Sequence, residues 1–155
     1  MAWQSGAEPV VVLTKADLAG DPGAFVRAAQ AAAPGAAVYA VSARTGQGLE
    51  ALNPYLLPGK TIAFLGSSGV GKSSLVNALA GEEVMSAGAI WSFCQLSQRW
   101  GESSPASRAA RTAQPGSDWW ANCDWVFVMQ SMNQNFNLKR LERYLAVAWQ
   151  SGAEP

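Results

Sequence analysis

Histidine is missing from the 155 residues altogether, and with it go Ser-His and Cys-His nucleophile pairs, imidazole general bases and histidine metal sites. Cysteine occurs only as Cys94 and Cys123, too few for an all-cysteine zinc site or for the disulfide framework of a small secreted domain. Charge is scarce as well: Asp+Glu and Lys+Arg balance at 11 each and together make 14% of the chain, against 49% hydrophobic residues. That balance excludes an acidic disordered tail and a strongly basic nucleic-acid module. No apolar run approaches the roughly 18 residues that would span a bilayer, and no basic-then-apolar leader opens the chain. No membrane partner is therefore expected, and a reduced cytoplasmic setting is. The length suits one domain whose core needs no disulfide or metal staple.

What the chain does have, unusually, is the same octapeptide twice. Residues 2–9 and residues 148–155 both read AWQSGAEP. Structural repeats recur at periods of roughly 20 to 50 residues and drift in sequence, so this is no solenoid signature. It reads as a chain whose end overlaps its own beginning.

Between these ends, strands and helices alternate. VVVLT (10–14) is a β-branched run with the composition of a buried parallel strand, and AVYAVSA (37–43) and TIAFL (61–65) are two more. An Ala-rich helix is expected from Asp21 to Ala33, with Pro22 near its start and Pro34-Gly35 after its end. A short helix from about Gln47 to Leu52 and another from Lys72 to Ala80 follow the second and third strands. DWVFVM (124–129) is a further strand, and Asn137 to Gln150 a last helix with Leu138, Leu141, Leu145 and Ala148 on one face. Lys139, Arg140, Glu142 and Arg143 fall largely on the other. The stretch from Trp91 to Trp120 has no sustained period and several turn formers, and is expected to be irregular or locally helical. The pattern predicts an α/β fold, a three-layer domain around a mostly parallel sheet.

Gly66, Gly71, Lys72 and Ser73 satisfy G-x-x-x-x-G-K-[ST], placed between a predicted strand and a predicted helix as that motif requires. Glycines let the backbone wrap phosphates, successive N–H groups point inward, and the helix N-terminus adds a favourable dipole. Gly66, Ser67, Ser68, Gly69, Val70, Gly71, Lys72, Ser73 and Ser74 are thus the candidate phosphate-binding residues. Lys72 would reach the β- and γ-phosphates, and the Ser73 hydroxyl would hold Mg2+.

The base is decided elsewhere. Directly after the first strand stands Thr14-Lys15-Ala16-Asp17-Leu18, close to the N-K-x-D that specifies guanine, and after the second stands Ser42-Ala43-Arg44. A carboxylate at Asp17 can accept from guanine N1–H and its exocyclic amine, donors that adenine does not present together, while the Lys15 stem can lie along the purine face. In this sequence both elements precede GSSGVGKS, an order similar to that of the circularly permuted GTPases. The wording of LTKADL (13–18), VSARTGQGLEAL (41–52), GKTIAFLGSSGVGKSSLVNALAG (59–81) and ANCDWVFVMQSMNQNFNLKRLERYLAVAWQSGAEP (121–155) resembles one family among them, the ribosome small-subunit-dependent GTPases.

The resemblance implies a G domain that binds GTP or GDP with Mg2+, its guanine contacts at Thr14, Lys15, Asp17, Leu18, Ser42, Ala43 and Arg44. Thr14 stands where the general motif has asparagine. It also implies a role in late maturation of the small ribosomal subunit, with the nucleotide state controlling docking on it. In the family order, 121–155 precede residue 10. Residues 1–155 then form one rearranged G domain, with the base-reading elements and the phosphate loop in 1–90 and a segment without a clear family counterpart in 91–120. The family's barrel and zinc modules are not recognisable, and no zinc is expected. Nor are its switch regions: no G-R-H-T-T follows GEEVMSAGAI (81–90), and the single D-x-x-G, Asp17 to Gly20, is already committed to the base. Weak or absent hydrolysis follows. Two other readings stay open, a non-catalytic rearranged fragment and an adenine-nucleotide P-loop enzyme. The tryptophans and cysteines are read as packing residues. Arg99, Arg108 and Arg111 are read as a solvated segment, although they could touch ribosomal RNA phosphates. If the last strand and helix regain their family place beside VVVLT, one copy of SGAEP is displaced or swapped into a neighbouring molecule.

Overall fold

A computed structural model describes residues 8–56, 61–67, 69–80, 93–98, 108–113 and 124–150, with 93–98 and 108–113 described as backbone alone. The sheet begins with β1 (Glu8–Thr14), whose Val10 to Leu13 are buried without a break. A run that apolar suits a strand covered on both faces, and β1 lies between β2 (Ala37–Ala40) and β6 (Trp125–Ser131), parallel to both. β6 pairs in parallel with β3 (Thr61–Leu65) on its other side. Val10 stands opposite Phe127, and Phe127 opposite Phe64.

Alternation along these strands sorts the core into two faces. Val11, Leu13, Val126 and Val128 face α1 (Pro22–Ala32) and α3 (Leu138–Gln150), meeting Ala29, Leu141 and Leu145. Val10, Val12, Phe64 and Phe127 face α2 (Lys72–Ala80) and the turn Leu49–Tyr55, meeting Leu75, Val76 and Leu52. Helices therefore cover both faces of the sheet, giving the three layers that the alternating pattern predicts. Asp21 caps α1, its carboxylate accepting from Ala24 N–H at 3.3 Å, and Pro22 opens the helix where a missing N–H costs nothing.

Three expectations need correction. Residues 91–120 contain two strands, β4 (Phe93–Gln98) and β5 (Arg108–Ala113), which extend the sheet antiparallel to the order β2-β1-β6-β3-β4-β5. FCQLSQ and RAARTA carry no apolar run, and a pairing neighbour rather than local propensity makes them strands. The short helix expected from about Gln47 to Leu52 is present, as the 3-10 helix Leu49–Tyr55 with Pro54 inside it. Leu138 is 39% exposed, while Leu141, Leu145 and Ala148 are buried as predicted. The second strand is also shorter than expected, ending at Ala40, although Val41 N–H still bonds Leu13 O at 2.8 Å.

Of the two octapeptide copies, residues 8–9 and 148–150 are described. Glu8 and Pro9 of the first open β1 opposite Trp125 and Val126, whereas Ala148 of the second is buried near the end of α3. β6 and α3 thus stand beside VVVLT. Residues 151–155, Cys123 and the side chain of Cys94 lie outside the described residues. Among the described residues no helix is long and apolar enough to cross a membrane.

Candidate functional site

The four parallel strands end on one edge of the sheet, the edge at which α/β folds bind ligands. β3 runs into the phosphate loop there. Gly66 is buried, and a Cβ on it would stand 3.0 Å from Val70 Cγ1 and 3.2 Å from both the Cβ and the carbonyl oxygen of Met129. Gly69 and Gly71 have φ of 76° and 99°, values that L side chains rarely adopt. Val70, 2% exposed, pins the loop into the core between them. The result is a backbone cradle that opens α2, and a helix's first turn leaves N–H groups without acceptors inside the helix.

Lys72 lies inside this cradle, 5% exposed, its Nζ donating to Gly66 O at 2.6 Å and Ser67 O at 3.0 Å. Ser73, half-buried, and Ser74, exposed, occupy the same turn of α2. Ser68 lies outside the described residues. Buried ammonium, turned glycines and a serine hydroxyl beside them fit a phosphate chain and its magnesium ion, and Ser73 is the residue that would hold the metal.

The candidate base-reading residues converge on the same edge. Thr14, 4% exposed, donates from Oγ1 to Val70 O, tying the end of β1 to the phosphate loop. Lys15 is the one described non-glycine residue with positive φ, 62°, and that left-handed turn sends its Nζ to Gly69 O at 2.8 Å. The lysine therefore spans from one loop to the other. Asp17 is exposed, and Ser42 Oγ, buried beneath it, donates to its Oδ1 at 2.7 Å, fixing the rotation of the carboxylate. Ala43 is half-buried, Arg44 is exposed, and Leu18 is 63% exposed beside Asp17.

The loop that carries Ser42 is closed on itself: Ser42 N–H bonds Gln47 O at 2.8 Å, Gly46 N–H bonds Ser42 O at 2.9 Å, and Thr45 N–H bonds Ser42 Oγ at 3.2 Å. Gly48 makes the closure fit. At φ 76° it passes so near Ala40 that a Cβ would lie 2.3 Å from that carbonyl oxygen. Two further residues at this edge escaped the sequence reading. Arg140, assigned there to the solvent face of its helix, is half-buried and donates to Ser67 Oγ at 2.9 Å. Gln130, at the end of β6, is 1% exposed, and its Nε2 has no partner among the described residues. Only the Lys139-Arg140 pair at the start of a capped helix could have drawn attention to the arginine.

A three-layer α/β sheet whose third strand leads into a glycine cradle with a buried lysine defines a P-loop nucleoside triphosphatase domain. The model of the RsgA GTPase family matches residues 1–96, and the chain belongs to that family. Among curated proteins, the small ribosomal subunit biogenesis GTPase RsgA 2 of Lactiplantibacillus plantarum is 52% identical over 85 residues, 55% of this chain and 24% of that protein. The protein so named (RsgA) from Xylella fastidiosa is 54% identical over 86 residues, 55% of this chain and 25% of its own. Its namesake in Methanosarcina acetivorans is 49% identical over 84 residues, 54% of this chain and 23% of its own. The chain spans about a quarter of the length of these relatives.

Proposed function

We propose that the chain binds GDP or GTP with Mg2+ at the edge where β1, β2 and β3 end, as a circularly permuted G domain. The observation that carries this reading is the pair of bonds from Thr14 to Val70 O and from Lys15 to Gly69 O. They join the base-reading strand to the phosphate loop, so one nucleotide can lie across both. Gly66 to Ser74 hold the phosphates, Lys72 neutralises them and Ser73 holds the metal, which when bound screens the charge of the phosphate oxygens. Asp17 accepts from guanine, Lys15 covers its face, and Ser42 to Arg44 close over it, with Leu18 at the rim.

Turnover is another matter. The sequence holds neither a G-R-H-T-T segment nor a D-x-x-G apart from residues 17–20, so nothing in it supplies the usual switch threonine or water-positioning glycine. Hydrolysis is accordingly weak or absent, and phosphate release from GTP at the rate of a regulated GTPase would contradict that. The relatives' names place them in small-subunit biogenesis, and the same partner, the small ribosomal subunit with its RNA, is proposed for this chain.

Fluorescent GDP and fluorescent ADP, titrated against the parent and Asp17→Asn, test the base. The parent is expected to favour GDP, and Asp17→Asn to lose most of that preference. Equal binding of both nucleotides by the parent would sink the guanine assignment in favour of an adenine-nucleotide site.

A further inference from the structure

One long-range side-chain contact lies behind the cradle rather than in it. From the first turn of α3, Arg140 donates through Nη1 to Ser67 Oγ at 2.9 Å, joining residues 73 apart in the chain. The arginine is itself held in place: its backbone N–H bonds the cap side chain, Asn137 Oδ1, at 3.1 Å, and the Asn137 N–H faces Gln130 Oε1 on β6 at 3.4 Å. Leu65 and Val128, paired across β3 and β6, both pack on the α3 side of the sheet. Two residues further on, alternation puts Gln130, still within β6, on that side again, and Ser67, two residues past the end of β3, meets Arg140 there. Ser67 thus turns its hydroxyl to Arg140 while its carbonyl oxygen receives the Lys72 ammonium inside the cradle, at 3.0 Å.

We infer that Arg140 is a positioning residue for the phosphate loop, gripping Ser67 from behind so that the loop's backbone is set for phosphate by a side chain that never meets the nucleotide. The inference rests on the reading of the cradle as a nucleotide site. Its physical basis is preorganisation. A loop with glycines at 66, 69 and 71 loses much conformational freedom when it closes on a ligand, and a charge-assisted bond made beforehand removes part of that loss. Arginine suits the task because its planar guanidinium holds a fixed direction, where a lysine ammonium on a flexible stem does not.

Fluorescent GDP titrated with Mg2+ against the parent, Arg140→Ala, Ser67→Ala, the double variant and Arg140→Lys tests this. Each alanine variant is expected to bind about tenfold more weakly, the double variant no more weakly than either, and Arg140→Lys between parent and alanine. The melting temperature of the nucleotide-free protein is read in parallel and is not expected to follow that order. Losses that multiply in the double variant, or losses that track the nucleotide-free melting temperature, overturn the positioning role and leave the cradle standing. No GDP binding by the parent overturns both readings. Should Arg140→Ala fail to fold, Ser67→Ala and Arg140→Lys decide alone, and parent-like affinity in both overturns the inference.

Discussion

At the scale of single residues the site depends on groups that are buried although they are polar, and on glycines where a side chain would bring strain or a clash. Lys72 is the sharpest case. An ammonium that is 5% exposed has lost most of its hydration, and here the carbonyl oxygens of Gly66 and Ser67 stand in for water. A phosphate chain offers that ammonium full negative charge in place of partial charges. Lys72→Ala is therefore expected to weaken GDP binding by more than tenfold, over about 1.4 kcal/mol. Titration with fluorescent GDP reads this directly, and an unchanged affinity would mean that the amine is not used. Gly48 carries the base side in the same way. Gly48→Ala would place a methyl group 2.3 Å from Ala40 O at a φ of 76°, so the loop must shift, at a cost on the order of 2 kcal/mol. Because Ser42 takes its orientation from that loop and in turn orients Asp17, guanine affinity should fall together with stability. Urea unfolding and GDP titration on the same variant check the two effects, and loss of stability with parent-like GDP affinity would separate the loop from the base site.

At the scale of elements, the turn Leu49–Tyr55 shows how a short piece without α-helical hydrogen bonding is kept against a sheet. Tyr55 sets its ring edge-on to Trp125 and Phe127 of β6, at 5.3 and 5.6 Å, and its hydroxyl lies 2.9 Å from that of Tyr39 on β2. Burial, first, and then the Tyr39 hydroxyl push its pKa from 10.0 up to about 12. The sign follows from proton counts. Between those two values the native state holds a proton that the unfolded chain has released, so stability falls as pH rises through that window and is fully present below pH 10.0. Tyr55→Phe has no such proton to lose. The parent's melting temperature is expected to drop more steeply than the variant's from about pH 10 upward, and parallel curves would remove Tyr55 as the cause. Elements also differ in how far the sequence disclosed them. VVVLT, TIAFL and the Lys72–Ala80 helix were legible because an apolar run or a loop-to-helix motif fixes them locally. β4 and β5 were not, because FCQLSQ and RAARTA become strands through the neighbours they pair with. The short helix after Gly48 was legible as a helix, and Pro54 inside it suits the 3-10 form it takes. The candidate site was legible where its residues form contiguous words, Thr14 to Leu18, Ser42 to Arg44 and Gly66 to Ser74. It was hidden at Arg140, whose partner is a serine that only the folded sheet brings near.

At the scale of the whole molecule, the site is a junction. The end of β1 bonds the phosphate loop after β3 through Thr14 and Lys15, and α3 bonds that loop through Arg140. β1 and β3 do not pair with each other, since β6 runs between them. A ligand spanning the loops after β1 and β3 therefore bridges segments that the chain reaches at opposite ends of its first 80 residues, and unfolding must release that ligand before either segment can leave. Nucleotide at about a hundredfold above its Kd should add about 2.7 kcal/mol of stability by mass action. For a domain of this size that raises the melting temperature by roughly 5 to 10 °C. GDP and a non-hydrolysable GTP analogue are expected to give nearly the same rise at equal saturation. A larger response to the analogue requires a segment that closes on the γ-phosphate, and the sequence offers neither a G-R-H-T-T nor a second D-x-x-G to do so. Thermal scans with each nucleotide at matched multiples of its Kd make the comparison. A rise several degrees greater with the analogue would show that another part of the chain answers to the third phosphate, and the expectation that no segment closes on it would have to be given up.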